Sequence, residues 1–181
     1  WEKYGVRVSD SEARAFRERF FSLYHDLPEW HNLMRKTVRQ LGYVVSPIGR
    51  KRRLPDIRSS DEGVQASAER EAINSPVQGF GSDYVLAAFI EVFQIIMKED
   101  PDFETIRPVG TVHDAQYYEI RNDKIDYWAN IIKTVFDDPS RLKAWFNYTP
   151  PLPITGDMKL GNHWGDAKDW DLGKPYPHMP R

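Results

Sequence analysis

The 181-residue chain has no cysteine, which excludes a disulfide framework, a thiolate metal site and a cysteine nucleophile and agrees with a reducing compartment. It also has no excess of one charge. With 25 basic and 27 acidic residues the formal charge is -2, so the bulk balance marks neither an obligate nucleic-acid binder nor a membrane-surface binder. No stretch reads as the roughly 18 apolar residues of a membrane span, so none is expected. The opening WEKYG carries neither an initiator Met nor a signal-peptide pattern, and an upstream portion is expected to have been removed or left out. Internal repeats and low-complexity tracts are lacking too. What remains is a globular composition, 40 % hydrophobic and 13 % aromatic with six Trp, at a length that suits one ordinary domain.

Along the chain, Ser9 and Glu12 have capping-box spacing, and Ala13, Phe16, Phe20 and Tyr24 follow at helical intervals. After a break at His25 to Pro28, a second helix carries Trp30, Leu33, Met34, Val38 and Leu41 on one face and stops at Gly42, which makes a helical hairpin. YVVSPIGRKRRLPDI reads as two short strands around a turn. From Glu62 to Lys98 a helical run turns Phe80, Tyr84, Val85, Ala88, Phe89, Val92, Phe93 and Ile96 inward, with a kink or break expected at Pro76 and Gly79/Gly81. RPVGTVHDAQYYEIR predicts two short strands joined near His113 and Asp114. Asn122 is placed to cap a helix bearing Ile125, Trp128, Ile131, Ile132 and Val135. A strand in PLPITGDMKLG precedes a Trp-, Pro- and Gly-rich tail expected to be poorly ordered.

Three segments could carry chemistry. From Trp30 to Pro55 stand Arg35, Lys36, Arg39, Arg50, Lys51, Arg52 and Arg53 with no acidic residue, either a solvated turn or a phosphate-binding patch. In AEREAINSPVQGFGSD, Arg70, Asn74 and Gln78 sit four apart. They form either the polar side of an amphipathic helix or a row of donors for the minor groove, where acceptors lie at similar positions for every base pair. In VHDAQYYEI, Asp114 follows His113 at a hairpin tip, either as turn chemistry or as a carboxylate for a hard divalent cation.

Taken in this order, the segments resemble the C-terminal part of family A DNA polymerases. AEREAINSPVQGFGSD is similar to the family's AER-A-N-P-QG-D signature, which makes Arg70, Asn74 and Gln78 the residues that track the primer-template minor groove. VHDAQ is similar to motif C, VHDE, which makes Asp114 a catalytic metal ligand and His113 a residue near the primer end. GRKRRLPDI, with Arg50, Lys51, Arg52 and Arg53, and the closing GDMKLGNHWGD match further family patterns, so the resemblance runs from Tyr4 to Asp166.

The resemblance implies an α+β fold: the helical end of the fingers and the C-terminal half of the palm, with a small antiparallel sheet of the motif C hairpin and terminal strand packed on helices. Residues 1–60 would be fingers with the basic hairpin, 61–166 palm, and 167–181 a tail. It also implies template-directed nucleotidyl transfer to a primer 3′-hydroxyl, with two Mg²⁺ ions, primer-template DNA and deoxynucleoside triphosphates, in a bacterial or phage-infected cytoplasm and without a membrane partner. Ala115 departs from the family's Glu, and motif A and motif B, with the other metal-binding Asp and the nucleotide-holding side chains, are not among these residues. They are expected from an N-terminal remainder, in the same parent chain or in a separate subunit, and the chain alone is expected to be inactive. The competing expectations are a non-catalytic DNA-binding or assembly module derived from a polymerase, and a hydrolase using Asp114 and Glu119.

Overall fold

The computed structural model describes residues 8–177; WEKYG, the Tyr4 end of the resemblance and residues 178–181 of the tail lie outside them. Helix α1 (Asp10–Leu23) starts where the capping spacing puts it: the Ser9 N–H donates to Glu12 Oε2 at 2.7 Å and the Glu12 N–H to Ser9 Oγ at 3.3 Å. Its apolar stripe is not covered, since no α1 residue is buried and Phe16, Phe20 and Tyr24 stay exposed. A helical period marks a stripe, but only a partner surface buries it. Helix α2 (Asp26–Leu41) takes Pro28 into its first turn, where a missing N–H has no intrahelical partner, so the break is confined to Tyr24 and His25. Val38 is fully buried, whereas Leu33 and Leu41, expected inward, are exposed. Gly42 ends α2 at φ +76°, its N–H donating to Val38 O at 2.8 Å.

Strands β1 (Tyr43–Val45) and β2 (Lys51–Arg53) pair antiparallel with Val44 opposite Arg52. A 3-10 turn at Pro55–Arg58 then buries Ile57. Helix α3 (Glu62–Glu99) spans 38 residues, about 57 Å at 1.5 Å per residue. Of the kink or break expected at Pro76 there is no break, since the proline lies inside the single helix. The Ser75 hydroxyl, one residue before the proline, donates to Glu71 O at 2.6 Å, and the Pro76 ring is itself buried. By length and composition α3 could cross a membrane, which corrects the expectation of no such stretch. Core helices pass the same test, and Tyr84, Val85, Ala87, Ala88, Val92 and Ile96 are buried within protein. Phe93, expected inward, is exposed, and Phe80 and Phe89 are half-buried.

The chain divides into two compact units, with a boundary within α3. The first comprises Trp1–Val45 and Lys51–Pro76, of which 8–45 and 51–76 are described. Its core is Val38, Val44, Leu54, Ile57, Ala68 and Ala72, with Met34 packed against it. The second comprises Ser46–Arg50 and Val77–Arg181.

In the second unit, β3 (Ile106–Val112) and β4 (Ala115–Ile120) form a hairpin with a bulge between Pro108 and Gly110. Helix α4 (Ile125–Asp137) follows a 3-10 turn at Asn122–Lys124, so Asn122 is not its cap; Lys124 occupies that position without a side-chain bond. Val92, Ile96, Ile106 and Trp128 make the main core here, and Trp128 Nε1 donates to Thr105 Oγ1 at 2.9 Å. A short helix α5 (Ser140–Phe146), not expected from the sequence, buries Arg141 and Leu142. Strand β5 (Met158–Leu160) is the expected terminal strand, but it pairs with β6 (Lys168–Trp170) and not with the β3–β4 hairpin. The start of the tail is therefore built in: Trp170 is buried with Ile125 and Ala129. Helices with three small antiparallel sheets give the expected α+β mixture.

Candidate metal and nucleic-acid site

Register sets Val112 opposite Ala115, so the β3–β4 connection is two residues, His113 and Asp114. His113 takes the left-handed φ of +54° that the first position of such a tight turn demands. Both side chains are exposed. An Asp used as turn chemistry bonds the backbone two residues on. Asp114 makes no hydrogen bond or ion pair among the described residues, so its carboxylate is free for a ligand.

A hard-oxygen carboxylate suits Mg²⁺, which usually takes one or two carboxylates plus waters and substrate phosphates. Asp114 fits as one such ligand, and among the described residues no cluster of three or more Asp, Glu or His side chains could hold a metal. Glu119 lies five residues along β4, about 16 Å at the rise of a strand. Paired glycosidase carboxylates stand roughly 5–9.5 Å apart, which removes the hydrolase reading.

Arg70, Asn74 and Gln78 all lie on α3. Arg70 and Asn74 belong to the first unit and Gln78 to the second. All three are exposed, and none has a protein partner among the described residues.

The basic segment is largely neutralised within the fold. Arg35 and Arg39 both reach Glu69. Arg52 Nη2 donates to Glu71 Oε2 at 3.2 Å. Arg50 makes a two-pronged pair with Asp83, Nε to Oδ2 at 2.8 Å and Nη2 to Oδ1. Lys51 lies 5.1 Å from the centroid of the Tyr43 ring, and Arg53 is exposed without a partner among the described residues. Of the four cations in the turn, Lys51 and Arg53 are therefore the ones not paired with a carboxylate. Asp83, which closes the signature AEREAINSPVQGFGSD, is a residue whose role local sequence could not supply, because its partner lies 33 positions away.

Comparison with known proteins finds DNA polymerases. A DNA polymerase of Bacillus phage SP01 is 28 % identical over 163 residues, covering 90 % of this chain and 17 % of the phage protein. A thermostable DNA polymerase I of Thermus aquaticus is 29 % identical over 166 residues, covering 91 % and 18 %. A solved structure, the "POL domain of Pol1 from M. smegmatis complex with DNA primer-template and dNTP", is 28 % identical with a TM-score of 0.63, covering 72 % of this chain and 22 % of that one. The chain thus spans less than a fifth of the length of these curated relatives. The model of DNA polymerase family A matches residues 3–166, and the chain belongs to that family.

Proposed function

We propose that this chain contributes the end of the fingers and part of the palm to a template-directed DNA polymerase. In that reaction a primer 3′-hydroxyl attacks the α-phosphate of a deoxynucleoside triphosphate and pyrophosphate leaves. The observation that carries the reading is the free, exposed carboxylate of Asp114 at a two-residue hairpin tip, inside a stretch that matches the family.

Asp114 would be a ligand for Mg²⁺, with a second carboxylate from outside these residues. The chemistry supplied by bound Mg²⁺ is activation of the hydroxyl and neutralisation of charge on the leaving phosphates. His113 would lie near the primer end. Arg70, Asn74 and Gln78 would donate to minor-groove acceptors, a grip tolerant of sequence because those acceptors recur at every base pair. Lys51 and Arg53 would meet backbone phosphates, while Arg50 and Arg52 already serve carboxylates of the protein. The exposure of these side chains supports the assignment, as does the absence of a carboxylate partner for any of the cations Arg70, Lys51 and Arg53 among the described residues.

Ala115, in place of the usual motif C Glu, favours a second reading: a module that keeps the duplex grip and does no chemistry. Primer extension separates the two. The chain alone should extend nothing, and adding the polymerase portion that bears the missing carboxylate should restore extension. Extension by the 181 residues alone contradicts the need for that portion. Failure of every such complement to restore extension, with duplex binding retained, favours the non-catalytic module.

A further inference from the structure

The two faces of the β3–β4 hairpin are held by different parts of the chain. Strand alternation puts Gln116, Tyr118 and Ile120 on one face and Ala115, Tyr117 and Glu119 on the other. The first face is fixed to α3 and the core. Gln116 Nε2 donates to Val85 O at 2.8 Å, the Tyr118 hydroxyl donates to Gln116 Oε1 at 2.7 Å, and the Tyr118 ring lies 5.5 Å from that of Phe89. On the second face Trp164 lies flat against Tyr117, with centroids 4.0 Å apart and planes 17° from parallel. Trp164 is nevertheless 62 % exposed, so this is a surface stack and not a core contact.

The loop that presents Trp164 is anchored on both sides. Strands β5 and β6 pair around it, and Trp170 buries the far end. A Cβ at Gly161 would come within 2.7 Å of the Ala167 backbone, so the chain closes there around a glycine. The His163 N–H donates to Asp166 Oδ1 at 3.0 Å across the turn.

The hairpin needs such support. A two-stranded ribbon is marginal in water. This one is interrupted at the bulge before Gly110 and carries a non-glycine residue, His113, at positive φ. Tyr117 stands opposite Gly110, which offers no side chain to cover it. An aromatic laid over such a strand glycine replaces the missing cross-strand packing.

We infer that the Tyr117–Trp164 stack positions the His113–Asp114 tip: the C-terminal segment clamps the outer face of a hairpin whose inner face α3 holds. That Asp114 is thereby held for catalysis rests on the polymerase reading; the clamp itself does not.

Hydrogen exchange on the 181-residue chain tests the clamp. In W164A, the amides from 109 to 117 should exchange about tenfold faster, with α4 amides unchanged and W164F close to the parent. Y117A should loosen the same amides from the other side. Unchanged hairpin exchange in W164A overturns the inference. So does equal acceleration throughout α4, which would make the stack general support for the core.

Within the assembled polymerase, W164A should lower kcat about tenfold and raise the Mg²⁺ concentration required, with KM for primer-template unchanged and W164F restoring the rate. A rise in KM at unchanged kcat overturns the positioning role. A polymerase in which Asp114→Asn is harmless contradicts the functional reading but leaves the exchange result to judge the clamp.

Discussion

The Arg50 guanidinium grips the Asp83 carboxylate with two prongs, and the partners differ sharply in burial: the side chain of Asp83 is 8 % exposed and that of Arg50 62 %. Asp83 therefore depends on Arg50 more than Arg50 depends on Asp83. Loss of the arginine strands a buried carboxylate, whereas loss of the aspartate leaves a guanidinium that water can solvate.

Urea unfolding should register that asymmetry. Arg50→Ala should cost about 2–3 kcal/mol and Asp83→Ala about 1 kcal/mol, the exposed side of the pair being screened by solvent. The double variant should be no worse than Arg50→Ala. Equal single costs would mean that Asp83 is stabilised by something other than this pair.

Internal pairing also divides the basic turn. Duplex affinity measured across a range of salt should show a slope shallower by about one in Lys51→Ala and in Arg53→Ala. Arg50→Ala should leave the slope near that of the parent, because its charge is already matched by Asp83. A loss of one unit for Arg50 as well would place its guanidinium on DNA.

Asp100 follows α3 and accepts from the Glu104, Thr105 and Ile106 N–H groups at 2.8–3.0 Å and from the Thr105 hydroxyl at 2.8 Å. Burial pushes its carboxyl up, but these donors outweigh it and hold the group at about 2, below its ordinary 3.8. A depressed carboxylate adds stability that is fully present above the unfolded value and is lost as pH falls through the folded one. The Tm advantage of the parent over Asp100→Asn should therefore be present at pH 5 and shrink between about pH 4 and 2. A Tm difference unchanged over that interval would contradict the assignment.

Signals contained within a few residues were legible in the sequence. The Ser9–Glu12 capping box, the Gly42 stop and the tight turn at His113–Asp114 each depend on neighbours. The family motifs likewise singled out Arg70, Asn74, Gln78 and Asp114 as candidates, and the structure leaves all four exposed and without a side-chain partner among the described residues. Features set by distant partners were not legible. Helix α5 is held by Arg141, whose guanidinium reaches Glu91 and the carbonyls of Val135, Phe136 and Asp138, while its Nε is buried without a partner. Strand β6 owes its order to Met158 opposite Trp170 and to the core around Trp170. Helix α3 runs on through Pro76, a local breaker that is buried in the fold. In α1 a correct amphipathic pattern remains exposed, because periodicity does not specify a covering surface.

The role of Asp114 is tested most directly by primer extension and duplex binding measured side by side on Asp114→Asn in the assembled polymerase. The substitution removes metal-binding charge without changing side-chain volume or any groove donor, so extension should fall by about three orders of magnitude or more while duplex affinity stays within roughly twofold. Extension at close to the parent rate, or a parallel loss of duplex binding, would contradict the account.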